Sequence, residues 1–174
     1  MRKILAALIG AASTVTMIAG AGAASASPAH PVTITHPASA HRAVTGTEHF
    51  QAVSTSLTSN RSKVAAWGVF NASGVDIAIS NTRDIFKFPG GKFRVTHHAT
   101  HSSQHFNKRT CAGTFRERGR YKLSHGTGKY AGISGHGRYS LRGLFVARHT
   151  AHGCSRKPIA IQVVIQAHGP VTLP

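Results

Sequence analysis

Only four carboxylates occur in the 174 residues, Glu48, Asp76, Asp84 and Glu117, so acid–base chemistry has few places to sit. Glu117 is the most pointed of them. From 111 to 123 the odd positions are Cys111, Gly113, Phe115, Glu117, Gly119, Tyr121 and Leu123. Strict alternation along a strand then sets its carboxyl on the apolar side. A carboxyl held in an apolar interior has a raised pKa and can act as general acid or base, which makes Glu117 the candidate catalytic residue. Its neighbours Arg116 and Arg118, with Gly119 placed to open a hairpin turn, favour instead a salt bridge at a rim.

Histidine is the next source of chemistry: His97, His98, His101 and His105 lie close together. On an unbroken strand His97 and His101 share a face with Phe93, Val95 and Ala99. Two imidazoles on one face can begin a zinc or copper site, but a stable one wants three or four ligands in correct geometry. The expectation is therefore a solvated, His-rich loop leading to Ser102-Ser103, with no metal and no cofactor. Two other chemistries fail on their patterns. The glycine run at 126–137 lacks the following helix that a dinucleotide fingerprint needs, and Gly128-Lys129 continues with Tyr130 where a Walker loop has Ser or Thr. Gly132-Ile133-Ser134-Gly135-His136 has His where a nucleophile elbow ends in Gly. Asp76 and Asp84 are the Asp residues left to orient a catalytic His, and a scattered triad is not the expectation.

The strongest physical signal is charge: 21 Lys and Arg against four acids give +17 with histidine neutral. Thirteen histidines would add to it in mild acid. Arg116, Arg118, Arg120 and Lys122 alternate outward on one hairpin, with Arg138 and Arg142 on a later strand. If those strands are neighbours, the six form a basic stripe attractive to nucleic acid, an anionic cell-wall polymer or an acidic lipid surface, with salt-sensitive binding. Aromatic residues are sparse, and Trp67, Tyr121 and several Phe are expected in the core, which weakens base stacking as a mode of recognition.

The elements that must position these residues begin after a leader. Arg2 and Lys3 precede an uncharged, apolar stretch from Ile4 that ends Ala24-Ser25-Ala26, the pattern of a signal peptide cleaved before Ser27. The protein is expected to be secreted, and no later segment is apolar enough to span a membrane. Losing Arg2 and Lys3 takes the formal charge from +17 to +15. Residues 27–46, with Pro28, Pro31 and Pro37, are expected to be a flexible extension. Cys111 and Cys154, the two cysteines of an exported chain, are expected to form a disulfide.

From 47 to 170 the period is two. Ile159 to Ala167 carries Ile, Ile, Val, Ile and Ala at odd positions, and Tyr139, Leu141, Gly143, Phe145 and Ala147 alternate with Arg138, Ser140 and Arg142. Such alternation marks strands with one buried side. Six further segments are weaker: 47–57, 62–70, 75–80 (extensible to 88), 92–101, 110–118 and 120–124. The expectation is an all-β fold: one closed antiparallel barrel of about eight strands, closure removing exposed edges. Asn60-Arg61-Ser62 and Asn71-Ala72-Ser73 are glycosylation sequons, whose use depends on the host.

The run Gly126-Thr127-Gly128-Lys129-Tyr130-Ala131-Gly132-Ile133-Ser134-Gly135-His136-Gly137 resembles the glycine-rich stretch of the allene oxide cyclase-like and dirigent-like β-barrels. Phe86 to Phe93, Phe106 to Cys111 and Ala167 to Pro170 resemble features of small secreted actinobacterial proteins of that superfamily. The resemblance covers roughly 46–170 and implies an eight-stranded antiparallel barrel with an apolar interior. It transfers no catalytic residue, since fold and activity are separable. The expected function is non-enzymatic binding, of an anionic cell-envelope polymer outside the barrel or a small apolar ligand inside it. The alternative is an isomerase or cyclase in the interior, with Glu117 as its acid or base.

Overall fold

A computed structural model describes residues 42–174. The expected signal peptide and most of the expected flexible extension lie outside the described residues. Eight strands follow one another in chain order: β1 (Val44–Ser54), β2 (Arg61–Trp67), β3 (Ala72–Ser80), β4 (Arg83–Phe88), β5 (Gly91–Asn107), β6 (Ala112–Ser124), β7 (Ser134–Thr150) and β8 (Gly153–Leu173). Every neighbouring pair is antiparallel, and β8 pairs back onto β1 to close the barrel. Pairing of β1 with β8 starts at Val44, so the sheet takes in the last three residues assigned to the flexible extension, and it runs on past 170 to Leu173.

The alternation seen in the sequence sorts residues between the two sides of the wall. Tyr139, Leu141 and Ala147 of β7 are buried while Arg138, Arg142 and Arg148 are exposed. The 110–118 and 120–124 segments are one strand, β6, with Gly119 in its middle rather than at a turn. Gly119 is required there for another reason: Tyr139 lies over it from β7, and any side chain would strike the ring and the His98 carbonyl. The 75–88 stretch, in contrast, holds two strands joined at Asn81-Thr82.

One end of the barrel is filled with aromatic rings. Phe93 is fully buried, with Phe50, Phe86, Phe88 and Tyr130 packed around it at centroid distances of 5.5–6.1 Å. Tyr130 comes from the glycine run, which forms a single 3-10 turn at Gly128–Tyr130 and plugs this end. Gly128 and Gly132 have φ of +59° and +75°, the left-handed region that glycine enters without strain. The run is thus a folded stopper and not a phosphate loop.

At the other end β5, β6, β7 and β8 run beyond the shorter strands as a four-stranded extension. Its two hairpin tips are joined by the Cys111–Cys154 disulfide, with Cα atoms 5.4 Å apart. Phe115 covers Gly143 and Phe145 covers Gly113, a reciprocal capping of glycines by cross-strand rings.

Candidate functional site

Two arrangements can do chemistry: a basic outer wall and a polar layer inside the barrel. On the outer wall, register decides which cations meet. Arg116 lies opposite Arg142 and Arg120 opposite Arg138 on the β6–β7 ladder, with Arg118 opposite Ser140 and Lys122 opposite His136. Arg116, Arg118, Arg120, Lys122, Arg138 and Arg142 are all exposed, so the structure brings all six together on two adjacent strands. The β5 side adds His98 opposite Arg120 and His101 opposite Arg118. Arg118, Arg120, Arg138, Ser140, Gln166 and His168 line one open depression in this wall.

Like charges set directly across a ladder repel. Carboxylates could offset that repulsion, but none is near: Glu48, Asp76 and Asp84 are buried and Glu117 sits on the interior side, half-buried. These four are the whole acidic complement of the chain. Every Asp and Glu therefore faces inward, and the outer wall carries cations alone.

The interior polar layer lies between the aromatic filling and the extension. His97 on β5 and Asp84 on β4 meet in the interior, both buried, with Nε2 3.1 Å from Oδ2. The His97 ring stands edge-on to Tyr139 at 5.6 Å, and the Tyr139 hydroxyl donates to Glu117 Oε1 at 2.6 Å. Asp76, also buried, faces the same interior from β3. The sequence placed Glu117 in a rim salt bridge with arginine. Instead its carboxylate turns inward to tyrosine, because Arg116 and Arg118 occupy the alternate, outward positions of one continuous strand.

The expected His-rich loop is strand, since β5 runs on to Asn107, and the structure does not bring His97 and His101 together as the start of a metal site. The β5–β6 register shifts between Ala99 and His101, and this bulge turns the strand's later residues to the other side. His97 is buried and His101 exposed. Among the described residues, Cys111, His149 and Cys154 do form a metal-sized cluster, with candidate ligand atoms within 4.8 Å of one another. The two sulfurs are bonded to each other, however, and His149 Nε2 lies 2.9 Å from the Arg109 carbonyl. Asn60 of the first sequon donates its side-chain amide to the Ala78 carbonyl, 3.1 Å.

Sequence reasoning missed two residues. Glu48 is fully buried at the plugged end, where its Oε2 accepts the Phe70 backbone N–H at 3.0 Å. Burial raises its pKa, opposed by the N–H groups of Phe70 and Val69. The alternation of Glu48 with Phe50 and Ala52 was the available signal. Burial, reinforced by the nearby Glu48 charge, pushes the Tyr121 hydroxyl up to about 12. Trp67 is the second miss: expected in the core, it is 43% exposed on the outer wall, its ring stacked on His49 at 5.5 Å.

No family model, no curated protein and no solved structure matches this chain.

Proposed function

We propose that this is an exported, non-enzymatic protein that binds anionic polymers through the outer wall of β5, β6 and β7. The observation that carries this reading is the segregation of charge. Six Lys and Arg side chains are exposed on two paired strands, and all four carboxylates of the molecule face inward. Soluble proteins ordinarily intersperse both signs on the surface, and a single-sign field is a means of steering a charged partner. Inorganic polyphosphate, a chain of anionic charge and nothing else, is the direct probe. Replacing Arg120 and Arg138 together by Gln should weaken its binding roughly 10- to 30-fold at low salt, taking ~1 kcal/mol per charge near an anionic surface. Lys87→Gln, on β4 away from the stripe, should leave it within about twofold. Equal losses in both variants would show that net charge alone, and not the stripe, is responsible.

A second reading, a small ligand in the barrel mouth, has one observation in its favour. The Tyr139–Glu117 hydrogen bond lies beneath an inner face of the extension whose Phe115, Phe145, Ile161 and Val163 are only half-buried. An isomerase or cyclase would use Glu117 there as acid or base. The test is an environment-sensitive apolar dye: emission that rises with the wild type and is lost in Val163→Glu supports a mouth site. An unchanged emission spectrum on mixing removes it.

A further inference from the structure

The basic stripe does not end at β7. Register continues one row of directly paired, outward positions around the wall: His98 on β5, Arg120 on β6, Arg138 on β7, His168 on β8, His49 on β1 and Trp67 on β2. Arg120 and Arg138 carry the charge of the row, and its second half, His168, His49 and Trp67, is a pile of flat rings. His49 and Trp67 are stacked at 5.5 Å with 7° between their planes, and His49 and His168 at 6.1 Å with 27°. Trp67 ends the pile with 43% of its surface exposed.

From this row we infer that the anionic polymer taken by the outer wall is a single-stranded nucleic acid, its phosphates on Arg120 and Arg138 and a base on Trp67. This deepens the polyanion reading and rests on it. Three physical points support the choice. The row crosses six of the eight strands, so its occupant must bend around more than half the barrel. Duplex DNA, with a persistence length of about 50 nm, cannot follow so tight a curve, whereas a single strand can. Five interstrand steps of about 4.8 Å make a track of about 24 Å, enough for the shortest single-strand sites of about four nucleotides. Finally, an exposed indole at the end of a cationic track is the combination that holds bases without reading their sequence, since every base has a π-face.

Trp67 is the sole tryptophan, so its emission reports on this site alone. The experiment titrates the full mature chain with an oligothymidylate, a duplex of equal charge, inorganic polyphosphate and heparin, at one low salt concentration. The oligothymidylate should quench Trp67, and polyphosphate should bind without quenching. Trp67→Ala should weaken oligothymidylate binding, followed by anisotropy of a labelled strand, roughly 5- to 150-fold and leave polyphosphate unchanged. Because Trp67 stands outside the core, the variant should fold. His49→Ala, which removes the ring beneath it, should weaken the same ligand and serves as the second variant.

Oligothymidylate binding that Trp67→Ala and His49→Ala both leave unchanged would overturn the inference while the polyphosphate result upholds the stripe. Quenching by heparin in place of oligothymidylate would assign the track to an anionic polysaccharide and overturn it equally. Tighter binding of the duplex would overturn the wrapped geometry. Failure of polyphosphate and oligothymidylate alike would remove the polyanion reading itself.

Discussion

Glu48 shows how a single side chain can be costly and useful together. Its carboxylate holds the Phe70 N–H against β1, and Gly68, with φ of +133°, lets that loop lie on Glu48 and the Thr47 carbonyl. The cost is desolvation, which raises its pKa above the ordinary 4.5. A carboxyl with a raised folded pKa binds its proton more readily in the folded state. Its contribution is therefore fully present below the unfolded pKa and is lost as pH rises through the folded one. Glu48→Gln keeps an acceptor and removes the titration. Denaturant unfolding from pH 4 to pH 7 should find the variant gaining stability relative to wild type as pH rises; a constant difference would refute this. Tyr121 bears a related cost, since its buried hydroxyl has no hydrogen-bond partner among the described residues. Tyr121→Phe should be neutral or stabilising by up to about 1 kcal/mol in the same assay.

At the scale of elements, the sequence was legible in its strand period and less so in its burial. The alternation from Tyr139 to Ala147 hides one face of β7. That from Ile159 to Ala167 marks β8 correctly as a strand but leaves Ile161, Val163, Ile165 and Ala167 half-buried. Ile159 is 56% exposed, because β8 there belongs to the extension beyond the closed barrel. The sequence was misleading where glycine has two meanings. Gly119 suggested a turn and so split β6, but it is there to let Tyr139 pack across the ladder. The strand count came out at eight only because β4 was not recognised as a strand of its own beside the 75–80 segment (extensible to 88), which offset that split. The bulge between Ala99 and His101 was illegible for a different reason: an extra residue in one strand depends on its partner strand, which no local pattern encodes. It decided the fate of the His97–His101 pair. The disulfide was legible from cysteine count, yet its mechanical role was not. It ties the two hairpin tips of the extension, closing a separation of 43 residues, worth about 4 kcal/mol on the chain-entropy account. Reduction, or Cys111→Ser with Cys154→Ser, should lower stability by up to that amount. Amide exchange should quicken first at 104–114 and 145–160. Uniform quickening across the barrel would show the tips are not a separate cooperative unit.

Over the whole molecule, the barrel acts as a charge sorter. Its interior takes all four acids, pairing Asp84 with His97 and Glu117 with Tyr139, and its wall keeps the exposed cations. The sequence showed the excess of charge and the alternation of Arg116, Arg118, Arg120 and Lys122. What it could not show was that Arg138 and Arg142 lie directly opposite two of them, or that Trp67 joins the same wall. Both depend on register between strands distant in the chain.

The salt dependence of affinity tests this account most directly. A single-stranded ligand whose phosphates sit on Arg120 and Arg138 should show log K falling with log[salt] at a slope of about −1.4 or steeper, from ~0.7 per phosphate contact. In Arg120→Gln/Arg138→Gln the slope should flatten by about 1.4. Affinity that stays level from 50 mM to 500 mM salt, in wild type and variant alike, would contradict binding through the cationic wall.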